Sequence, residues 1–326
     1  MSAPHPSDYR PRAVEVTTLG EALVVLDPVS RGPLRHVGAF EKRLGGAEVN
    51  VAVALARLGH GAAWAGSLGD EEFGHEILAF LRGEGVDVSA AALDPESPTG
   101  VYFKEHRALD RLRVYYYRAG SAASRMAPGQ FDLDRLLSGK VLHLTGITPA
   151  LSDGCRELVE ELIDAARERG VTVSFDANVR WRLFGEHDPG EVLSSLISRS
   201  DLVFLSEEEA ELLLGCAGPD AVMEAARERG LGAVVVHGET GAFAVENGEL
   251  AEESSKPVVP VDTVGAGDAF VAGFLSGRLR GWSLSRSLRL ANTCGACAVT
   301  VPGDATSMPT EADALSLLDD LYAVER

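Results

Sequence analysis

The sequence predicts an α/β fold: a mostly parallel central sheet, helices on both of its faces, and a small β-sheet lid. Three observations predict it. Apolar strand-like runs alternate with amphipathic helical runs through most of the 326 residues, and buried strands joined by helices pair in parallel. Two stretches, 29–44 and 98–118, instead read as short alternating strands around turns with no helix between them, which marks a β element standing off the main sheet as a lid. With 45% hydrophobic residues the chain can bury one large core, and no tandem repeat, low-complexity tract or long linker divides it. The expected organisation is a polar, proline-rich, disordered tail over 1–12, "MSAPHPSDYRPR", followed by one domain over 13–326.

Taken in order, "VEVTTLGEALVVL" reads as a strand or bent strand pair, "AEVNVAVALARLG" as a helix, "GAAWAGSLG" as a strand and "EEFGHEILAFLRGEG" as a helix. After residue 138 the rhythm resumes with strand "KVLHLTG", helix "SDGCRELVEELIDAARERG", strand "VTVSFDAN", a helix near 189–198, strand "DLVFLS" and helix "EEEAELLLG". Helix "DAVMEAARERG", strands "GAVVVHG" and "GAFAVENG", and two helices near 265–280 and 284–299 complete it.

Composition removes several function classes. The four cysteines are too few and scattered for a disulfide framework, and Cys294 and Cys297 read as small apolar residues on a buried helix face. The eight histidines show no H-x-x-x-H spacing, so no zinc site built by the protein is expected. A net charge of −19 repels nucleic acid and anionic membrane, and an anionic substrate would need locally placed arginines. No run is apolar enough for a signal peptide or a membrane span, so a cytoplasmic location is expected.

"VDTVGAGDAFVAGF", residues 261–274, places a Gly-Ala-Gly hinge and an aspartate where a helix begins. A helix N-terminus leaves unpaired N–H groups at a positive dipole end, and Gly265 and Gly267 carry no side chain to block an anion's approach. The motif therefore reads either as a phosphate cradle with Asp268 as a base beside it, or as an ordinary glycine-rich turn with an acidic first turn. A dinucleotide fingerprint is excluded because Phe270 holds the third glycine position, and no P-loop pattern occurs.

"DTVGAGDAFVAGF" resembles the C-terminal signature of the ribokinase-like (PfkB-type) carbohydrate kinases, and "RLGGAEVNVAVALARLG" at 43–59 resembles their N-terminal signature. The resemblance spans roughly residues 14–310 and implies a three-layer ribokinase-like fold with a β lid, ATP as donor and Mg²⁺ as counter-ion. It implies further that Asp268 is the catalytic base, with the amides of Gly265, Ala266 and Gly267 as the anion hole. Gly45, Gly46 and Asn50 take the sugar-contacting positions. "HGETGAF" resembles the nucleotide loop, with His237, Gly238 and Gly241 beside ATP. Asn178 nears the phosphates and Asn292 borders the adenine. Where many members carry N-x-x-E, this chain has Ser206 and Glu209: Glu209 positions Mg²⁺ through water, or the segment is a helix cap with an acidic first turn, or both.

The acceptor is read from three segments. In "GEALVVLDPVS" the position where neutral-sugar kinases carry an aspartate is Val25, with Asp27 two residues on and on the same strand face. "RLRVYYYRAGSAAS" offers Tyr116 and Arg118, and "SFDANVRWRLF" places Arg180 just past a strand, at the edge where ligands collect. Arginine's planar fork suits a carboxylate. With "LGGAEVN", "HLTGITPALS" and "LSEEEAELL", these segments resemble the 2-keto-3-deoxygluconate kinases of the family. That resemblance implies Tyr102, Tyr116, Arg118, Ile147 and Arg180 around the acceptor and phosphorylation of its terminal hydroxyl. The alternatives are a fructokinase- or ribokinase-like enzyme acting on a neutral sugar, or a non-catalytic sugar sensor, which would have no need of Asp268. A homo-oligomer paired through the lid strands is expected.

Overall fold

The computed structural model describes residues 12–107, 112–185 and 187–318. The expected tail therefore lies almost wholly outside the described residues, as does the centre of the 98–118 excursion. In chain order the strands are β1 (Val16–Leu19), β2 (Leu23–Pro28), β3 (Phe40–Gly45), β4 (Ala62–Ala65), β5 (Ser67–Gly69), β6 (Ala92–Asp94), β7 (Gly100–His106), β8 (Leu112–Tyr117), β9 (Val141–Thr145), β10 (Thr172–Asp176), β11 (Leu202–Ser206), β12 (Ala233–His237), β13 (Gly241–Glu246) and β14 (Glu249–Ser254). The helices are α1 (Ala47–Arg57), α2 (Glu72–Gly83), α3 (Leu133–Leu136), α4 (Asp153–Arg169), α5 (Trp181–Phe184), α6 (Pro189–Ile197), α7 (Glu207–Leu214), α8 (Pro219–Arg229), α9 (Ala266–Leu279), α10 (Leu284–Val299) and α11 (Glu311–Leu318).

Eight strands form the main sheet in the order β14-β13-β12-β11-β10-β9-β1-β4. The six from β12 to β4 are parallel, and β13 and β14 extend the edge antiparallel. Strand residues alternate between two cores, as period-2 geometry requires. On β12, Ala233 and Val235 join α1, α9 and α10 on one face, whereas Val234 and Val236 join α4, α7 and α8 on the other. That doubly covered sheet is the predicted fold class. No described helix is long and apolar enough to cross a membrane.

The lid is a separate four-stranded sheet, β3-β2-β7-β8. It corrects the expected boundary at 29–44: the first excursion starts in β2 at Leu23, and residues 29–39 hold only a single 3-10 turn, Leu34–His36. The β2 run is apolar because Leu23 and Val25 pack on Tyr102 in a small core of the lid's own. Asp27, on the same strand face as Val25, is taken by His106 Nε2 at 2.9 Å and Arg43 Nε at 3.5 Å. Cys294 is buried on α10, as expected, and Cys297 half-buried.

The chain leaves β1 towards β4 on one side and returns on the other as β9, which opens a crevice at the sheet's carboxyl edge. The lid strands leave from and return to that edge. Thr145 ends β9, Asp176 ends β10, Ser206 ends β11 and His237 ends β12, so four chemistry-bearing side chains converge there by topology alone.

Candidate active site

Helix α9 opens at the crevice with Gly265 as its N-cap, held at φ +81°. A Cβ there would stand 3.0 Å from Met308 Cε in a backbone region that favours glycine. Gly265, Gly267 and Asp268, at the start of this helix, line a cavity of about 670 Å³. That cavity is walled by Asp176, Asn178, Arg180, Ser206, Glu209 and His237 from the strand ends, and by Tyr102 and Tyr116 from the lid. A second, tighter compartment of about 80 Å³ adjoins it, lined by Glu21, Gly46, Glu48, Asn50, Arg118, Ile147 and Asp304. Tyr102, Tyr116, Arg180, Val264, Gly265 and Asp268 belong to both, so Asp268 stands at the junction.

Asp268 is buried, and its Oδ2 accepts a 2.7 Å hydrogen bond from Asn50 Nδ2. Burial pushes its carboxyl up to about 6; the Asn50 bond and the Arg180 charge oppose the rise, and the Asp304 charge adds to it. The group is therefore mostly ionised at neutral pH yet basic enough to take a proton. The Asn50 carbonyl oxygen is buried without a partner, as is one oxygen each of Glu21 and Glu48 and the Nε of Arg118. Buried polar atoms ordinarily find partners, and these four all belong to residues of the small compartment's wall, which gives it a polar lining able to bond a guest.

The lid supplies a cross-strand pair. Tyr102 on β7 lies opposite Tyr116 on β8, their rings 5.3 Å apart, and the Arg118 guanidinium lies 4.0 Å from the centre of the Tyr116 ring. Tyr115 and Tyr117 alternate to the other face, where Tyr115 donates to Glu105 and Tyr117 meets Phe103. Arg118 Nη1 donates to Glu21 Oε2 at 2.6 Å, whereas Arg180 has no carboxylate partner among the described residues.

Gly45 and Gly46 serve this wall by their lack of side chains. A Cβ at Gly45 would stand 2.5 Å from Asp304 Oδ2, and one at Gly46, with φ +133°, would meet the Glu21 carbonyl at 2.3 Å. Ile147 and Gly46 reach the compartment as expected, while Gly45 and Ala266 are not among the residues lining either cavity.

On the opposite side of Asp268, Asn178, Ser206, His237, Gly265 and Gly267 meet in the larger cavity. Asn178 takes φ +38° and gives its backbone and side-chain N–H to the two Asp176 oxygens, both at 3.2 Å. Asp176 is held well above the ordinary carboxylate range by burial and then by the charges of Glu209 and Asp268. The His237 ring packs 4.9 Å from Phe270, and burial holds it below its ordinary value. Ser206 and Glu209 form a capping box on α7, and Glu209 also accepts the Val179 N–H at 2.6 Å. The capping reading of that segment therefore holds, and Glu209 still faces the cavity.

Three expected nucleotide residues do not line it. Gly241 has no room for a side chain because a Cβ would lie 2.5 Å from the Glu253 carbonyl, whereas one on Gly238 would meet only the movable end of the Glu207 side chain at 2.8 Å. Asn292 spends its amide on the Glu253 and Ser254 carbonyls of β14, at 2.9 and 3.2 Å. Sequence reasoning missed Glu21, Glu48 and Asp304 in the wall of the small compartment. Glu48 lay in plain view within "GGAEVN"; its carboxylate accepts from Thr145 and Thr148 at 2.7 and 2.9 Å, and burial pushes it up to about 7.

Comparison with known proteins finds a match to the pfkB family of carbohydrate kinases over residues 14–311. A 2-dehydro-3-deoxygluconokinase from Thermoproteus tenax is 35% identical, over 94% of this chain and 95% of its own. The crystal structure of a 2-dehydro-3-deoxygluconokinase from Thermotoga maritima superposes with a TM-score of 0.86 at 28% identity, over 94% of this chain and 99% of that one. A fructokinase with bound ATP from Xylella fastidiosa superposes with a TM-score of 0.83 at 27% identity, over 95% and 99%.

Proposed function

The chain belongs to the pfkB family of carbohydrate kinases, and from that premise we propose that it transfers the γ-phosphoryl group of ATP to the terminal hydroxyl of 2-keto-3-deoxygluconate, also called 2-dehydro-3-deoxygluconate. The observation that carries the acceptor is Arg180: a guanidinium at the junction of both compartments that forms no salt bridge among the described residues, although its charge acts on Asp176 and Asp268, in a chain of net charge −19. A sugar acid's carboxylate suits the in-plane N–H edge of that guanidinium.

In this reading the small compartment holds the acceptor and the large one the phosphates. Asp268, oriented by Asn50, takes the proton from the attacking hydroxyl as the oxygen–phosphorus bond forms and the bond to the departing ADP breaks. The amides at the start of α9 stabilise the charge on the moving group. Tyr102 and Tyr116 cover the acceptor and exclude water. Asp176 and Glu209 fit Mg²⁺ by chemistry: hard oxygen donors on one wall, whose mutual repulsion a divalent cation relieves. When bound, that cation supplies charge compensation for the phosphates.

One observation favours a neutral sugar: Arg118 is already neutralised by Glu21, whose other oxygen is a ready acceptor for a hydroxyl. An acceptor panel with ATP and Mg²⁺ decides between the two. The keto-deoxy acid is expected to give the highest kcat/KM, and a preference for fructose or ribose overturns the assignment. Arg180→Ala should lower kcat/KM for the acid by roughly tenfold to a hundredfold more than it lowers kcat/KM for fructose, the loss of one charge-assisted hydrogen bond to the carboxylate beyond its shared effect on Asp268. We also infer one functional unit over 13–326, a cytoplasmic setting without nucleic-acid or membrane partners, and pairing of copies along β8, an edge strand of the lid whose Tyr117 is 67% exposed.

A further inference from the structure

Lys104 lies on β7 with its side chain fully buried. Its ammonium meets Asp262 Oδ2 at 3.0 Å and Asp304 Oδ1 at 2.7 Å. The three residues come from the lid, from the turn that leads into α9, and from the segment between α10 and α11. Each carboxylate has a second partner. Asp262 Oδ1 accepts the Val264 N–H at 3.1 Å, and Asp304 Oδ2 accepts the Tyr102 hydroxyl. Val264 and Tyr102 both line the two compartments. One buried cation thus stands between the acceptor wall and the phosphate-binding turn.

Such an arrangement is poorly explained by stability. Taking a lysine and two carboxylates out of water is costly, and apolar residues of similar volume commonly serve a core as well or better. What the ions supply is geometry, because each bond has a direction and a length that an apolar contact lacks. We propose that Lys104 is a positioning residue that ties the lid to the phosphate-binding turn, so that Tyr102 and the Val264–Gly265 backbone reach their working places only together. The proposal rests on the reading of Asp268 and the α9 turn as the phosphoryl-transfer site.

Without the ammonium, Asp262 and Asp304 face one another in a buried space and are driven apart, and both tethers slacken. Lys104→Met is therefore expected to lower kcat and raise the acceptor KM, each by about tenfold or more. Asp262→Asn loosens the turn and keeps the lid contact, so it should lower kcat and leave the acceptor KM within about twofold. Hydrogen exchange supplies a readout that needs no acceptor: in Lys104→Met, residues 100–106 and 262–268 should exchange faster together, with 202–206 and 233–237 unchanged. The double variant Lys104→Met/Asp262→Asn, which removes one charge of each sign, should return part of that protection. Parent-like exchange and kinetics in Lys104→Met, or a uniform rise in exchange over every element, overturns the proposal. Should Lys104→Met fail to fold, parent-like kcat in Asp262→Asn overturns it equally. A parent enzyme that phosphorylates only neutral sugars would refute the acceptor assignment and leave the exchange comparison to decide this inference.

Discussion

Asp268 holds its charge against its surroundings. The carboxyl is buried, and its folded value of about 6 exceeds its ordinary 3.8. Above about pH 6 the ionised group is charged in both folded and unfolded chains, and the native state bears a penalty on the order of 3 kcal/mol, at 1.36 kcal/mol per pH unit. Below pH 3.8 it is protonated in both, and the penalty is gone. Asp268→Asn should therefore melt higher than the parent near pH 8, the gap closing as pH falls from about 6 to 4. The same variant should lose roughly a hundredfold to ten-thousandfold in kcat, the range a positioned base contributes. Melting curves across pH and steady-state rates check both halves; an asparagine variant that is less stable at pH 8, or equally fast, contradicts this account. Asp268 was legible in the sequence because its setting is local: two glycines, a helix start and a carboxylate within four positions. Glu21, Glu48 and Asp304 were not, because what makes them site residues is contact across long stretches of chain, such as Glu48 with Thr145 and Thr148.

Helix α9 shows how an element is held where its first turn is needed. It crosses α10 so closely that a Cβ on Gly273 would lie 2.8 Å from Ala291 Cα, and one on Gly277 would lie 2.8 Å from Ser287 Cα. These contacts are with backbone, which cannot swing aside as a flexible side chain can. Gly277→Val should therefore wedge the two helices apart and cost about 1–3 kcal/mol by overpacking. Because α9 carries at its far end the Gly265 turn that lines the cavity and is proposed to bind phosphate, kcat should fall with the urea midpoint; a valine variant with the parent midpoint would show that the crossing has slack. The regular elements were readable because apolar period and glycine stops coincide, as in α4, which ends on Gly170 at φ +69°. Strand β14 was not, since "ELAEES" is acidic and lies at the sheet edge, where one buried residue, Ala251, suffices to dock it. The four-residue helix α5 was equally silent, although it carries Trp181 and is capped by Arg180. The lid boundary slipped because β2 is as apolar as a core strand, its inner face being covered by Tyr102 instead of a helix.

At the scale of the whole molecule, acids outnumber lysine and arginine by 49 to 30, and the surplus must lie mostly on the surface. Two effects compete there as salt is added. Screening relieves the repulsion among surplus carboxylates, which stabilises the fold; it also weakens exposed ion pairs such as Lys42–Glu76 at 2.5 Å and Arg156–Asp153 at 2.7 Å. Exposed pairs contribute about 0–1 kcal/mol each and two of them, Arg156–Asp153 and Arg227–Glu224, are within one helix, so their loss is small. The repulsion is spread over a surplus of 19 charges and acts between every pair within a screening length. Raising sodium chloride from roughly 0.1 M to 1 M shortens that length from about 10 Å to about 3 Å, and the melting temperature should climb by a few degrees. The Lys104 contacts with Asp262 and Asp304 lie out of reach of dissolved ions, so the turn into α9 should keep its geometry and kcat its value across the same range. A melting temperature that falls with salt would mean that surface pairing, and not net charge, governs this surface. A kcat that falls in step would place the lid tether in contact with solvent after all.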